Sequence, residues 1–277
     1  MTIKACVLGW PIEHSRSPII HGYWLAQHSI EGSYTKQAVA PGEFDAFVRA
    51  MPENGFAGGN VTVPHKEAAL RCADIGDEAA RKIGAANTLW FEDGQLHASN
   101  TDAYGFLANL DEGAPGWDQT KSVAVVLGAG GAARAILHGL LSRGFTEIRL
   151  FNRTFARAQE LAAHFGNRVH VHDWNSRNDQ LNGCALVVNT TTLGMTGEPD
   201  LRIDLAGLGG DAVVTDLVYA PLQTQLLHRA EKKGLRCVDG LGMLLHQAVP
   251  GFEKWFSVRP QVSDELRTLV TADIEAG

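Results

Sequence analysis

A short glycine-rich segment between an apolar run and a helical pattern constrains the fold of this chain more than any other feature. The run Val123–Leu127 has the length and composition of a buried strand, and Gly128-Ala129-Gly130-Gly131-Ala132-Ala133 follows it directly. In a Gly-x-Gly-x-x-Ala segment the first glycine permits a tight turn, the second leaves room for a pyrophosphate, and the alanine packs the helix against the strand. Free N–H groups at the start of the helix favour that phosphate. The segment therefore predicts a dinucleotide-binding, doubly wound sheet.

The rest of the chain alternates apolar runs of strand length with helical patterns, as α/β proteins do. After the glycine-rich segment, strands are predicted at residues 147–151, 169–171, 186–189, 213–217 and 236–238, and helices at 132–143, 157–165 and 221–233. Before it, strands are predicted at 3–8, 34–39, 58–63, 87–91 and 95–98, and helices at 43–50, 64–72, 77–83 and 101–111. The last two predicted helices cover 244–255 and 263–276.

Local signals mark several boundaries between these elements. Ser17-Pro18 predicts a helix start, with the serine as N-cap and the proline in the first turn. Asp93-Gly94 predicts a two-residue hairpin, because both central positions of that turn need positive φ. The polar stretch 111–116, which contains glycine and proline, suits a surface connection.

A chain of 277 residues can form two domains, since domains commonly contain about 100–200 residues each. We predict an α/β fold with a first, substrate-binding domain of residues 1–104 plus 240–277. Residues 105–239 are predicted to form the Rossmann-like nucleotide-binding domain. The C-terminal helices are expected to return to the first domain.

Composition excludes several classes of function. The net charge of −7 argues against nucleic acid as a partner, because neutralising phosphates requires a basic face. No apolar window approaches the ~20 residues needed to span a bilayer, and residues 1–8 are too short an apolar run for a signal peptide. The four cysteines never form a Cys-x-x-Cys pair, and no group of histidines completes a metal-ligand set. We expect a cytoplasmic protein without a bound metal.

The residues after the second nucleotide-domain strand indicate which dinucleotide binds. A site for NAD usually carries an acidic residue here, to accept hydrogen bonds from the adenosine ribose. This chain instead reads Phe151-Asn152-Arg153-Thr154-Phe155-Ala156-Arg157 and has no carboxylate before Glu160. Arginine can bind a 2′-phosphate through a fork of charge-assisted donors, whereas an acid would repel it. Arg153 and Arg157 therefore predict NADP.

A second cluster of polar residues lies in the N-terminal half, around Asn60-Val61-Thr62-Val63-Pro64-His65-Lys66. Asn60 and Thr62 share one face of a predicted strand, and Lys66 follows at the strand-to-helix turn. Short polar groups at other element boundaries, including Ser15, Ser17, Asn87 and Asp102, add amides, hydroxyls and a carboxylate. Such groups on fixed elements suit a polyhydroxylated small molecule.

These motifs together resemble the shikimate dehydrogenases along nearly the whole chain. The matching segments are His14-Ser15-Arg16-Ser17-Pro18, Asn60–Lys66, Gly84-Ala85-Ala86-Asn87-Thr88, Asn100-Thr101-Asp102, Asn152-Arg153-Thr154 with Arg157, and Asp239-Gly240-Leu241-Gly242-Met243-Leu244-Leu245-His246-Gln247-Ala248. Residues 189–195 match more loosely. The resemblance implies NADPH-dependent reduction of 3-dehydroshikimate to shikimate, a step in aromatic amino-acid (chorismate) biosynthesis.

The resemblance also implies roles for individual residues. Lys66 and Asp102 would form the catalytic pair. The same two residues would also bind the substrate, together with Ser15, Ser17, Asn60, Thr62, Asn87 and Gln247, and Tyr219 would close on it from the cofactor side. NADP would be held by Gly128, Ala129, Gly130, Gly131, Ala132, Asn152, Arg153, Thr154 and Arg157, with Leu217, Gly240 and Met243 near the nicotinamide. Glu78 is a further cofactor candidate, although an acid on a surface helix is the commoner explanation.

Two other functions stay open at this point. A quinate/shikimate dehydrogenase of broader specificity is disfavoured by Arg153 and Arg157, because such relatives often use NAD. A non-catalytic sensor that binds NADP or shikimate would need the binding geometry but not the Lys66–Asp102 pair. Either a monomer or a homodimer is compatible with the sequence.

Overall fold

The computed structural model describes residues 2–276 and shows two compact units. The first unit runs to Tyr104 and resumes over Leu245–Ala272. The second unit comprises Gly105–Leu244 and resumes at Asp273. It therefore extends past residue 239, which the sequence predicted as its end.

The first unit contains a mixed six-stranded sheet in the order β2-β1-β3-β5-β6-β4. Its strands are β1 (Ile3–Gly9), β2 (Gly32–Ala38), β3 (Phe56–Val61), β4 (Ile75–Gly76), β5 (Thr88–Glu92) and β6 (Gln95–Ser99). Its helices are α1 (Ser17–Gln27), α2 (Phe44–Ala50), α3 (Lys66–Cys72), α4 (Glu78–Ile83) and α5 (Asp102–Gly113), the last continuing into the second unit. β1 pairs in parallel with β2 and β3, and β5 runs antiparallel to β3 and β6.

The predicted hairpin is confirmed, but two helix starts predicted in the first unit are wrong. Asp93 and Gly94 join β5 to β6 with φ values of 52° and 77°. Ser17 is the first residue of α1, and Arg16, not Ser17, occupies the N-cap position without a side-chain hydrogen bond. α3 begins at Lys66 rather than at Pro64, which lies in the preceding turn.

The second unit contains a six-stranded, fully parallel sheet in the order β12-β11-β10-β7-β8-β9. Its strands are β7 (Val123–Leu127), β8 (Glu147–Phe151), β9 (Val169–His172), β10 (Cys184–Asn189), β11 (Val213–Asp216) and β12 (Arg236–Val238). The helices of this unit are α6 (Gly131–Arg143), α7 (Phe155–Phe165) and α8 (Gln225–Lys232). α9 (Leu241–Phe256) begins in this unit and α10 (Asp264–Ala276) ends in it, while most of both helices belongs to the first unit. Strand order reverses between β7 and β10, as in a doubly wound dinucleotide-binding sheet. The predicted fold class is confirmed.

Helices cover both faces of the second sheet because its strands are apolar on both sides. Ala124 and Val126 of β7 pack in a core cluster with Ile136 of α6. Val125 and Leu127 belong to the opposite cluster, together with leucines of α8. Successive side chains of a strand point to opposite faces, so one apolar strand supplies both cores. α8 begins at Gln225 rather than at residue 221, after Thr224 accepts a hydrogen bond from a backbone N–H in its first turn.

Residues 2–276 contain no helix that is long and apolar enough to cross a membrane. Within the same range, no group of three or more His, Cys, Asp or Glu side chains could hold a metal ion. All four cysteines are free. Burial raises the pKa of the thiols of Cys72, Cys184 and Cys237 to about 11, so these thiols are protonated at neutral pH.

An aromatic cluster in the first unit surrounds the buried imidazole of His21. The ring stacks on Tyr34 at a centroid distance of 3.9 Å and lies near Phe252 and Trp255 of α9. Neither ring nitrogen makes a hydrogen bond of normal geometry within the described chain. Burial lowers the pKa of His21 to about 3, an effect that the neighbouring amide of Asn60 partly opposes. His21 is therefore neutral when the protein is folded.

We expect this histidine to weaken the fold in acid. Between its folded pKa of about 3 and its ordinary value of 6.5, the unfolded chain binds the extra proton, so stability falls as pH decreases from 6.5. When the pH falls from 7 to 5, the free energy of unfolding should therefore decrease by about 2 kcal/mol less in His21→Phe than in wild type. Urea unfolding at both pH values measures this difference. Exposed His28, at the end of the same helix, supplies the control His28→Gln, and an unchanged pH slope in His21→Phe would refute the assignment.

Candidate active site

Lys66 and Asp102 form an ion pair in the first unit. Lys66 begins α3 and Asp102 begins α5, and the lysine Nζ bonds Oδ2 of the carboxylate. The other carboxylate oxygen accepts a hydrogen bond from the side-chain amide of Asn87 at 2.9 Å. The two side chains are 23% and 10% exposed, so the pair is reachable while most of its surface is covered. Asp102 is thus held on one oxygen and holds the lysine with the other.

Backbone contacts set the positions of both helix starts. The Thr62 N–H donates to Leu8 O at 2.9 Å. This bond extends the pairing of β3 with β1 as far as the turn before Lys66. The side chain of Asn100 accepts from the Asp102 N–H at 3.1 Å and donates to Ala85 O at 2.9 Å. The catalytic candidates therefore rest on rigid elements, as precise positioning of charged groups requires.

Asn87 is the centre of the buried polar network around this pair. Its side-chain oxygen accepts from the Thr101 N–H at 2.8 Å and lies 3.0 Å from the Thr88 hydroxyl. Its amide nitrogen also lies 3.2 Å from Oε1 of Gln247 on α9. The Thr101 hydroxyl donates to the backbone oxygen of Gln247 at 2.8 Å. Segments far apart in the chain thus converge on one amide.

Asn60 joins the same network from β3. Its amide donates to Asn87 O at 3.2 Å, and its oxygen accepts from the Tyr34 hydroxyl at 2.6 Å. Ser17 is buried near Tyr34, and its N–H donates to the Ser15 hydroxyl oxygen at 3.3 Å. Sequence reasoning gave no role to Tyr34, because a tyrosine within a strand carries no local signal for a polar contact.

The structure brings most predicted substrate residues together within the first unit. Direct hydrogen bonds link Asn60, Lys66, Asn87, Asp102 and Gln247. Thr62 lies at the turn before α3, and its hydroxyl has no hydrogen-bond partner among residues 2–276. Tyr219 belongs to the second unit, where it follows β11. A partly exposed ammonium beside fixed amides and hydroxyls can bind a polyhydroxylated molecule and donate a proton to it.

The glycine-rich loop of the second unit uses its glycines for two different reasons. Gly128 has φ of 110°, and a Cβ there would lie 2.6 Å from the Thr190 hydroxyl oxygen. Gly130 precedes α6 with an ordinary φ of −89°, and a Cβ there would meet no atom within 4 Å. The protein itself therefore requires glycine at 128 but not at 130. Open space at 130 fits a ligand group that approaches the backbone closely.

The loop after β8 is tied to this glycine-rich loop by Asn152. Its side-chain oxygen accepts from the Ala129 N–H at 3.1 Å, and its amide donates to Thr154 O at 2.8 Å. Arg153 and Arg157 are exposed, and neither guanidinium has a hydrogen bond or ion pair within the described residues. Arg153 also lines a cavity of about 470 Å³ together with Trp174 and Arg177. Two unpaired guanidiniums beside a phosphate-type loop can bind a further phosphate.

Three of the remaining cofactor candidates lie in the second unit, and one does not. The Leu217 N–H donates to Asn189 O at 3.0 Å, and a Cβ at Gly240 would lie 2.3 Å from Leu217 O. Met243 packs against the core that contains β7. Glu78 belongs to the first unit, where its carboxylate pairs with Lys82 at 2.5 Å. That contact is the usual one for an exposed helix acid, and a cofactor role for Glu78 stays a prediction.

Comparison with known proteins assigns the chain to a family. Residues 7–89 match the family model described as shikimate dehydrogenase substrate binding domain, and residues 114–194 match shikimate / quinate 5-dehydrogenase. The shikimate dehydrogenase (NADP(+)) of Brucella abortus (strain S19) is 57% identical over 98% of this chain and 94% of its own length. The chain belongs to the shikimate dehydrogenase family. The resemblance predicted from the motifs is confirmed.

Solved structures of shikimate dehydrogenase relatives agree with this assignment. Shikimate 5-dehydrogenase from Thermus thermophilus, in complex with NADP(H) and shikimate, is 32% identical with a TM-score of 0.83 and covers 99% of both chains. A quinate dehydrogenase from Corynebacterium glutamicum, in complex with NAD, is 29% identical with a TM-score of 0.91 and covers 98% of this chain and 99% of its own.

The two reasons for glycine in the nucleotide loop can be separated by mutation. Gly130→Ala should weaken binding of NADP+, the predicted ligand, because its methyl group fills the open space. Loss of a glycine N-cap should change stability by at most about 1 kcal/mol. Gly128→Ala should destabilise by about 1–3 kcal/mol, because its φ is unfavourable for alanine. Calorimetric titration and urea unfolding of both variants test this, and NADP+ binding of wild-type strength by Gly130→Ala would contradict it.

Proposed function

We propose that this protein catalyses the reversible, NADPH-dependent reduction of 3-dehydroshikimate to shikimate in aromatic amino-acid biosynthesis. The observation that carries the proposal is the partly exposed Lys66–Asp102 pair inside a network of buried amides and hydroxyls. The 57% identity to a shikimate dehydrogenase (NADP(+)) supports it. Quinate with NAD is disfavoured, since shikimate dehydrogenases (NADP(+)) are 56–59% identical to this chain and the quinate dehydrogenase in complex with NAD is 29% identical.

Lys66 supplies the proton in this mechanism. Bound NADPH provides the hydride for the ketone carbon, and the charge that develops on the ketone oxygen needs a positive neighbour. The Lys66 ammonium stabilises that oxygen and donates a proton to it. Asp102 orients the ammonium, while Asn87 prevents the carboxylate from turning away.

The other polar groups bind the substrate's carboxylate and ring hydroxyls. Asn87 and Gln247 present amides beside the catalytic pair, and Asn60 supports Asn87 from β3. Ser15, Ser17 and Thr62 supply hydroxyls at the neighbouring loop and turn. Tyr219 is proposed to contact the substrate from the cofactor side.

The second unit holds the dinucleotide in this proposal. Gly128–Ala132 bind the pyrophosphate through the open backbone at Gly130 and the start of α6. Asn152, Arg153, Thr154 and Arg157 would bind the 2′-phosphate of the adenosine. Leu217, Gly240 and Met243 would contact the nicotinamide end. A cytoplasmic location and a monomeric or homodimeric state stay predictions.

Steady-state oxidation of shikimate and of quinate, each with NADP+ and with NAD+, tests the function directly. Turnover restricted to shikimate with NADP+ is the expected result. Comparable turnover with quinate or NAD+ would identify a dehydrogenase of broader specificity. Binding of both ligands without turnover would identify a sensor.

Lys66→Ala should lower the turnover number by about 10²–10⁴-fold, the usual contribution of a general acid or base. The Michaelis constant for NADP+ should change little, because Lys66 lies in the first unit. Lys4→Ala, at an exposed lysine of the same unit, is the control. Wild-type turnover by Lys66→Ala would exclude Lys66 as the catalytic group.

Arg153→Asp should shift cofactor preference from NADP+ towards NAD+. Loss of a charge-assisted hydrogen bond costs about 1.5–3 kcal/mol, so the ratio of the two specificity constants should change at least about ten-fold. Arg168→Asp makes the same charge change at another exposed arginine of the second unit. If both variants kept the wild-type cofactor ratio, Arg153 would not bind the 2′-phosphate.

A further inference from the structure

Asp216, the last residue of β11, is a fully buried carboxylate that connects three segments of the second unit. Its Oδ1 accepts from the side-chain amide of Asn189 at 2.8 Å and from the Val218 N–H at 3.0 Å. Its Oδ2 accepts from the Thr224 hydroxyl at 2.8 Å. These donors come from the end of β10, the segment after β11 and the N-cap of α8. All three hydrogen bonds are charge-assisted when Asp216 is ionised.

Asn189 extends this connection into the loop after β10. Its side-chain amide also donates to Leu193 O at 3.0 Å, and its oxygen accepts from the Thr191 hydroxyl at 2.7 Å. Its backbone oxygen accepts from the Leu217 N–H at 3.0 Å. Asp216 and Asn189 together therefore fix the two loops that follow β10 and β11.

These loops lie at the carboxyl ends of strands, where doubly wound sheets bind their ligands. Such a sheet consists of two mononucleotide-binding halves. The half formed by β7, β8 and β9 carries the glycine-rich loop and Arg153, which suit the adenosine phosphates. The half formed by β10, β11 and β12 would therefore bind the nicotinamide nucleotide, and Leu217–Tyr219 are its first residues beyond β11.

A buried carboxylate at this position weakens the fold at neutral pH. Burial raises the pKa of Asp216 to about 6, although its three hydrogen bonds oppose the rise. The folded state therefore binds the proton more tightly than the unfolded chain, and stability falls as pH rises from about 4 to 6. Because the ionised carboxylate lowers stability, a contribution to stability does not explain why it is present. We explain it by the positions that its hydrogen bonds give to the surrounding segments.

We propose that Asp216 is a positioning residue that, with Thr224, sets the backbone of Leu217–Tyr219 against the nicotinamide half of NADP. This inference rests on the proposed function, because it assumes the dinucleotide site described above. Asp216 acts through the segments it holds. It therefore affects binding of the nicotinamide half and leaves the adenosine half unchanged.

Two ligands that share the adenosine half test this inference. NADP+ carries the nicotinamide nucleotide, whereas 2′-phospho-ADP-ribose lacks the nicotinamide. Asp216→Asn keeps the Oδ1 acceptor but places an NH2 group where Oδ2 accepts from Thr224, so the hydroxyl can only accept there and the negative charge is lost. Loss of the charge-assisted hydrogen bonds should weaken NADP+ binding about ten-fold in calorimetric titration. Binding of 2′-phospho-ADP-ribose should stay within about two-fold of wild type.

Variants of Thr224 examine the same hydrogen bond from its other end. Thr224→Val removes the hydroxyl and should reproduce the selective loss of NADP+ binding, whereas Thr224→Ser should restore it. Val214→Ala, which creates a cavity on the same buried strand, is the control for a general loss of stability and should weaken neither ligand selectively.

Equal weakening of both ligands, or lower thermal stability with unchanged NADP+ binding, would overturn the positioning role. Selective weakening that Thr224→Ser rescues would support it. If wild type bound neither ligand, the proposed function itself would fall, and the inference with it. Titration of wild type therefore separates failure of the function from failure of the inference.

Discussion

The buried amide of Asn87 is the contact on which the candidate catalytic geometry depends. An amide has one end that accepts hydrogen bonds and one that donates them, so its orientation decides what lies on each side. The accepting end takes the Thr101 N–H, which leaves the donating end for Asp102 and Gln247. The carboxylate is thereby aimed at Lys66. The start of α5, the start of α3 and the middle of α9 are fixed together by one side chain.

The second unit achieves its geometry by different means. Gly130 leaves open space beside its backbone, and the N–H groups at the start of α6 supply the donors that a phosphate needs. Side-chain hydrogen bonds connect the loops to one another. Asn152 connects the loops after β7 and β8, and Asp216 connects those after β10 and β11. Each of these side chains bonds groups from separate segments at once, and it thereby fixes the loops relative to one another.

Local sequence patterns were sufficient to predict the elements and the groups at their ends. Apolar period, turn residues and strand-end glycines are short-range signals, so β7, β8 and the Asp93-Gly94 hairpin could be predicted closely. The hydrogen-bond partners in the network around Asn87 could not be predicted in this way. Asn87 and Gln247 are separated by 160 residues, and the contact of Tyr34 with Asn60 depends on the sheet order β2-β1-β3. Two-residue β4 is too short to show any periodicity.

The two buried titratable groups have opposite effects on stability over nearly the same pH range. His21, with a pKa of about 3, weakens the first unit as pH falls from its ordinary value of 6.5. Asp216, with a pKa of about 6, weakens the second unit as pH rises from its ordinary value of 3.8. If the units unfold together, the slopes partly cancel in the unfolding free energy of the whole chain. A flat pH profile would therefore not show that either group is unperturbed, and only variants of one group at a time reveal its contribution.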